Sequence, residues 1–554
     1  RDLGGGVLVH ERRLTFKRMD LHEDPSAALR LYGAVARESF PPDPEARDLI
    51  AAFAANREWS RRLRRQDEAS ATFSQLLVRN EGLSVKRGSP LQELHDVGLL
   101  LAMIPELEPV TGRVRHDAYH AYTVDAHAIM AIDRLRALVR GELAAEYPNV
   151  SRAAAEMSRP LPLYLALLLH GIGTGHPDDP AKHAAAVAGA VGERLGLAAT
   201  DVQHMQWLIA NQHTMYFWAT RRDIADHGLI AEVAREVRTA HGLRDLYLFT
   251  FCRVSTIGPS AMSAWNARML DELWRAVVAH LDGRDLDVTE QLDRIRHELV
   301  TGVEDPVERA RMAEFAARAG ERYLLSNTLE GIRYHSQVVA GRKNGLAFGA
   351  SDAGTAPGTL ELVIGCDDRP GLLADLTAAL AAARFSVDSA QVYTRKMPQG
   401  GEEAFDIFHV THPNVGADHL MEPELERLRE NILALLDGRE RAHQLLAKRS
   451  RPPAWVRPGP RIKTEINVDN AASPRFTVVD VYTRDRPDLL HLISRTLHEK
   501  GLSIALAKVN TEGQRVADVF YVRTSAGGKL DRAGQLAELS IALREAIRKL
   551  DSAV

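Results

Sequence analysis

Only two cysteines, Cys252 and Cys366, occur in the 554 residues of this chain. Two thiols can build neither a disulfide scaffold nor a cysteine-rich zinc site, so a reducing, cytoplasmic setting is expected. Long hydrophobic runs are also missing. The longest, Leu161–Leu169, is too short to span a bilayer, and no signal-peptide pattern opens the chain. Neither sign of charge dominates: 70 Lys+Arg against 74 Asp+Glu leave a net charge of −4. Such a balance gives no general attraction to nucleic acid or to an anionic membrane, and neither is expected as a partner. What is present is an ordinary globular composition, 45% hydrophobic and 26% charged, with length for about three to four domains.

Apolar spacing with a period near 3.6 predicts helices through residues 1–105, for example over Ala27–Ala36, Ala46–Ala54 and Ala71–Leu77, entered by a short hairpin at Val7–Phe16. Helices continue through 106–345, at Val124–Arg140, Pro162–His170, Lys182–Leu195, Ala199–Asn211 and Met262–Leu281. The Gly/Ala/Ser-rich stretch Asn344–Gly358 reads as a linker. Beyond it the period changes to 2. A β-α-β-β-α pattern occupies Leu360–Cys366, Leu372–Ala383, Val387–Thr394, Ala404–Val410 and Glu422–Leu436. A basic, proline-rich connector follows at Lys448–Pro460, more a solvated link than a nucleic-acid patch. The pattern then repeats over Phe476–Thr483, Leu489–Lys500, Ile504–Asn510, Val516–Val522 and Arg532–Leu550. The two copies also match residue by residue. Asp368-Arg369-Pro370-Gly371-Leu372 aligns with Asp485-Arg486-Pro487-Asp488-Leu489, and Ala404-Phe405-Asp406 with Val516-Ala517-Asp518.

Each Asp-Arg-Pro turn ends a strand and opens a helix. Proline suits the first helical turn, and the free amides there favour a carboxylate. The turn resembles that of the ACT domain, a regulatory module that binds amino acids. The implied ligand-binding residues are Asp368, Arg369, Pro370, Gly371 and Leu372 in the first copy and Asp485, Arg486 and Pro487 in the second. The alternative is a tight turn with no ligand. Asp488 replaces Gly371 in the second copy and would crowd and repel an anion, which favours the first turn.

Half of the 22 histidines lie between His95 and His241. Their order, with His127, then His170, then His183 and His213, resembles the HD superfamily of metal-dependent phosphohydrolases. The segments Val124-Asp125-Ala126-His127, Arg221-Arg222-Asp223, Ile257-Gly258-Pro259 with Ala264-Trp265-Asn266, and Lys463-Thr464-Glu465-Ile466-Asn467 carry this further. With the paired ACT units they resemble the family of bifunctional PII uridylyltransferase/uridylyl-removing enzymes along nearly the whole chain.

That resemblance implies a multidomain α and α+β architecture. A helical connector (1–105) and a degenerate HD domain (106–345) precede two ferredoxin-like βαββαβ ACT domains (357–447 and 472–554), which are joined by a linker (448–471). It also implies Mg2+ or Mn2+ chemistry, glutamine as effector and the PII signalling protein as partner. The family's Gly-Ser and Asp-x-Asp transferase motif is absent from this sequence, and Arg1 in place of Met is expected to mark a missing upstream domain. The HD carboxylates fall at Gly171 and Arg253, its glutamate at Ala126 and its lysine at Thr174. An arginine repels a dication and can bind phosphate. The remnant metal ligands would be His170, His183 and His213. Three readings stay open for this region: a vestigial scaffold, a phosphate pocket without hydrolysis, and a hydrolase with atypical ligands. For the chain as a whole the alternative is a stand-alone, non-enzymatic amino-acid-binding protein. His116 and His120, at i and i+4, are a possible metal pair or surface histidines, and Trp207, Trp218 and Trp265 are expected in the core.

Overall fold

A computed structural model describes residues 1–17, 20–79, 89–114, 121–224, 226–258, 261–262, 264–283, 288–353, 359–397, 400–413, 422–448, 462–486, 488–509, 511–512 and 515–552. His116, His120, Pro487 and most of the basic connector lie outside these residues. The chain forms two compact units. Arg1–Tyr216 and Val237–Met262 make the first; Phe217–Glu236 and Ser263–Val554 make the second. These limits differ from the expected domain boundaries, because residues 1–105 and the histidine-bearing helices share one body and residues 263–345 join the C-terminal sheets.

The first unit opens with a three-stranded antiparallel sheet, β1 (Asp2–Gly4), β2 (Val7–His10) and β3 (Arg13–Phe16), in which β2–β3 is the predicted hairpin. Helices follow, several started by a capping side chain. Asp179 accepts from the amides of Ala181 and Lys182 ahead of Pro180–Arg194, and Thr239 accepts from Gly242 ahead of Ala240–Ser255. The Leu161–Leu169 helix is apolar on every side because every residue from Pro162 to Leu169 is buried. Ala240–Ser255 is buried nearly as completely. Among the described residues no helix is long and apolar enough to cross a membrane.

The second unit holds two antiparallel sheets of one design. The first takes the order β4-β5-β7-β6, from β4 (Leu346–Asp352), β5 (Thr359–Asp367), β6 (Ser386–Lys396) and β7 (Glu402–Thr411). The second takes the order β8-β9-β12-β10, from β8 (Glu465–Asp469), β9 (Thr477–Arg484), β10 (Leu502–Lys508) and β12 (Arg515–Thr524), with the short β11 (Thr511–Glu512) beside β12. The described part of the chain is thus α followed by α+β, as expected. The fourth strand of each sheet, however, comes from upstream. β4 lies within the stretch read as a linker, Asn344–Gly358, and β8 within the connector 448–471. In β4 the small residues that suggest a flexible link instead admit the Leu329–Ala340 helix. A Cβ on Gly349 would stand 2.4 Å from Val338 Cγ2.

Both faces of the first sheet are covered. Leu362, Ile364 and Phe408 pack with the helices Leu372–Ala382 and Glu422–Leu436. Val363, Phe405 and Ile407 pack with Phe315, Tyr323 and Leu324 from helices of the 288–340 region. Two covered faces explain the continuous apolar run of β5. The Leu372–Ala382 and Leu489–Glu499 helices lie against each other within one apolar core. His491 Nδ1 donates to the carbonyl of Ala374 at 2.7 Å across this contact.

Candidate functional site

The residue that precedes the helix takes the same conformation in both Asp-Arg-Pro turns. Gly371 precedes its helix at φ 82° and Asp488 precedes its helix at φ 69°, both left-handed. Glycine takes that conformation without strain, and aspartate tolerates it. In the first turn Asp368 N–H donates to Glu402 O at 2.9 Å, and Thr394 Oγ1 donates to Asp368 Oδ2 at 3.3 Å. Arg369 donates to Asp375 Oδ2 at 2.7 Å and to Leu435 O at 3.1 Å. Leu372 opens the helix, its amide on the carbonyl of Arg369 at 3.1 Å. A Cβ on Gly371 would lie 3.1 Å from the ring of His498, which belongs to the second ACT-like domain. In the second turn Arg486 donates to Thr483 Oγ1 and the carbonyl of Arg484, so it folds back on its own strand. Asp485 instead faces Asp388 of the first domain, and Asp388 is pushed up to about 6 by burial and by that neighbouring charge.

Along the seam between the domains runs a cavity of about 310 Å³. Thr394, Lys396 and Glu402 line it from one domain, and Ser503, Ile504 and Arg523 from the other. Sequence reasoning missed Lys396, Glu402 and Arg523, since nothing in their spacing ties them to the turn. Asp406, one of the matched aspartates of the repeat, is buried, and burial pushes its carboxyl well above the usual range.

In the first unit the four expected histidines are not gathered. His127 and His170 meet edge to face, ring centroids 5.3 Å apart. His183 stacks on His176 at 4.0 Å, and His213 is exposed while its neighbour Gln212 is the buried residue. His127 Nε2 donates to the carbonyl of Arg253 at 2.9 Å, and His170 Nδ1 to that of Leu167 at 2.8 Å. A carbonyl only accepts, so the His127 Nε2 proton is committed. Gly171 is hemmed in: a Cβ there would lie 2.5 Å from Val124 Cγ1. Arg253, which the resemblance places at the second carboxylate, is buried. The carboxylate position at Gly171 is sterically closed, and the resemblance puts a cation, Arg253, at the other; a two-metal centre would need carboxylates there.

Among the described residues, the one group of three His, Cys, Asp or Glu ligand atoms within 4.8 Å of one another is His204, His241 and Asp245. Sequence reasoning counted both histidines and had no reason to join them to Asp245.

The Arg221-Arg222-Asp223 segment has a packing role within the second unit. The Arg221 guanidinium lies 4.4 Å over the ring of Tyr482, and its carbonyl accepts from Tyr521 Oη at 2.9 Å. Asp223 pairs with Arg322. The buried Lys508 ammonium donates to the carbonyls of Ala219 and Arg222, and burial lowers it to about 8.

Residues 360–421 match the ACT domain family. The chain is similar to the bifunctional uridylyltransferase/uridylyl-removing enzyme of Caulobacter vibrioides, 29% identical over 551 residues, covering 97% of this chain and 56% of the relative. The protein of the same name from Gluconobacter oxydans is 30% identical over 531 residues, covering 93% and 54%, and that from Azospirillum brasilense is 28% identical over 559 residues, covering 99% and 58%. Along nearly its whole length the chain is related to proteins named bifunctional uridylyltransferase/uridylyl-removing enzyme, and it spans about half the length of those relatives.

Proposed function

We propose that this chain is the regulatory part of a PII uridylyltransferase/uridylyl-removing system and senses a free amino acid, glutamine, at the seam of its two ACT-like domains. The carrying observation is the 310 Å³ cavity there. Of the cations in its wall, Arg322 and Arg395 are paired with Asp223 and Glu403, while Lys396 and Arg523 suit an α-carboxylate and Glu402 an α-ammonium. The first turn backs this wall through the Asp368–Glu402 and Thr394–Asp368 hydrogen bonds, so a ligand that moves Glu402 acts on the turn and its helix. In this reading PII is the docked partner, and the histidine region is a retained scaffold without two-metal hydrolysis. The support for that part is the closed carboxylate position at Gly171 and the cation at Arg253.

Titrating glutamine into the full chain by calorimetry tests the proposal. Saturable heat is expected, together with a raised melting temperature, and Arg523→Ala should weaken binding. Absence of both heat and a thermal shift at millimolar glutamine would overturn it.

A further inference from the structure

We propose that His204, His241 and Asp245 form a binding site for a divalent transition metal of the zinc class, apart from the four histidines named by sequence. His204 lies on the Ala199–Ala210 helix, and His241 and Asp245 sit one turn apart on Ala240–Ser255. His204 Nε2 is 2.9 Å from Asp245 Oδ2, and His241 Nε2 is 3.3 Å from the same oxygen. Zinc bonds of about 2.0–2.1 Å at a tetrahedral angle separate neighbouring ligand atoms by about 3.3 Å, so the donors already stand near the edges of that polyhedron. The donor set of two imidazoles and one carboxylate is that of three-ligand zinc sites, which keep a fourth position for water. Asp245 is 1% exposed, while the two imidazoles are 18% and 38% exposed, so the carboxylate anchors the site and solvent reaches its outer side.

Arg244 both supports and opposes the site. Its Nε donates to Asp245 Oδ1 at 3.1 Å, leaving Oδ2 to the imidazoles. An outer hydrogen bond of this kind orients a ligating carboxylate. Its Nη2, however, lies 2.6 Å from His241 Nδ1. Coordination through Nε2 moves the imidazole proton to Nδ1, so this arm of the guanidinium has to swing away. Without metal, the two Nε2 protons and Arg244 hold Asp245 in place of the ion.

Zn2+ added to the chelator-treated full chain should bind at one equivalent, and Co2+ in its place should give the visible spectrum of a four-coordinate site. His204→Gln should weaken Zn2+ binding by more than about 100-fold, beyond what a residue that merely orients a ligand contributes. Arg244→Met should tighten binding, and His170→Gln should leave it unchanged. The proposal is overturned if the chain takes up no equivalent of Zn2+, or if His204→Gln binds as tightly as the parent. Loss of binding in His170→Gln with retention in His204→Gln overturns it too, by assigning the ion to the other histidines. Should His204→Gln fail to fold, His241→Gln replaces it under the same criteria.

Discussion

A single methyl decides what position 171 can hold. Val124 Cγ1 fills the space that a Cβ would need, 2.5 Å away, and β-branched valine has few rotamers with which to retreat. Returning carboxylates with Gly171→Asp and Arg253→Asp together should therefore leave Mn2+ binding unchanged, whereas adding Val124→Ala should let binding appear; titration of both variants beside the parent checks this. Gly371 is under the opposite constraint. Its φ of 82° and the His498 ring 3.1 Å from a would-be Cβ mean that Gly371→Ala should lower stability by about 1–2 kcal/mol, seen in thermal melts. Asp488, in the same backbone conformation, shows that the second turn bears a cost the first avoids.

Two elements face each other with like charge, the start of β6 through Asp388 and the second turn through Asp485. Asp388 is raised to about 6 in the folded chain. A carboxyl raised in this way favours folding in its protonated form, so its contribution is present at low pH and is lost as pH rises through about 6. The shift is worth up to about 3 kcal/mol before solvent screening reduces it. Melting should therefore show the second unit more stable near pH 5 than near pH 7.5, relative to Asp388→Asn, which should flatten the difference. Elements were also where the sequence was most legible. The Asp-Arg-Pro repeat and the switch from period 3.6 to 2 located ten strands and helices of the paired sheets to within a few residues. The edge strands β4 and β8 escaped notice because each lies in a stretch whose neighbouring Gly, Ala, Ser or Pro residues read as a connector, and pairing with β5 and β9 makes them strands. The cavity and the His204–His241–Asp245 group escaped because they join residues far apart in sequence, and no local spacing encodes that.

At the scale of the whole molecule, the chain leaves the first unit at Tyr216, gives Phe217–Glu236 to the second and returns at Val237. Within the second unit that loan is held by Lys508, whose buried ammonium takes two of its carbonyls. Lys508→Ala should cost about 2–3 kcal/mol, since buried acceptors are then left unmatched; denaturant titration measures it. A fragment covering Ser263–Val554 should melt lower and less cooperatively than the same region in the full chain, and a peptide of residues 217–236 should restore part of the loss. The lent segment also bears on inheritance. A gene recombined near codon 263 would carry the sheets without the piece that Lys508, Tyr482 and Tyr521 hold, and it would leave the donor's helical half with an orphaned excursion. Exchange between relatives therefore succeeds only when the stretch from before residue 217 to the C-terminus travels as one block, which ties the histidines at 241 and beyond to the fate of the sheets they do not belong to.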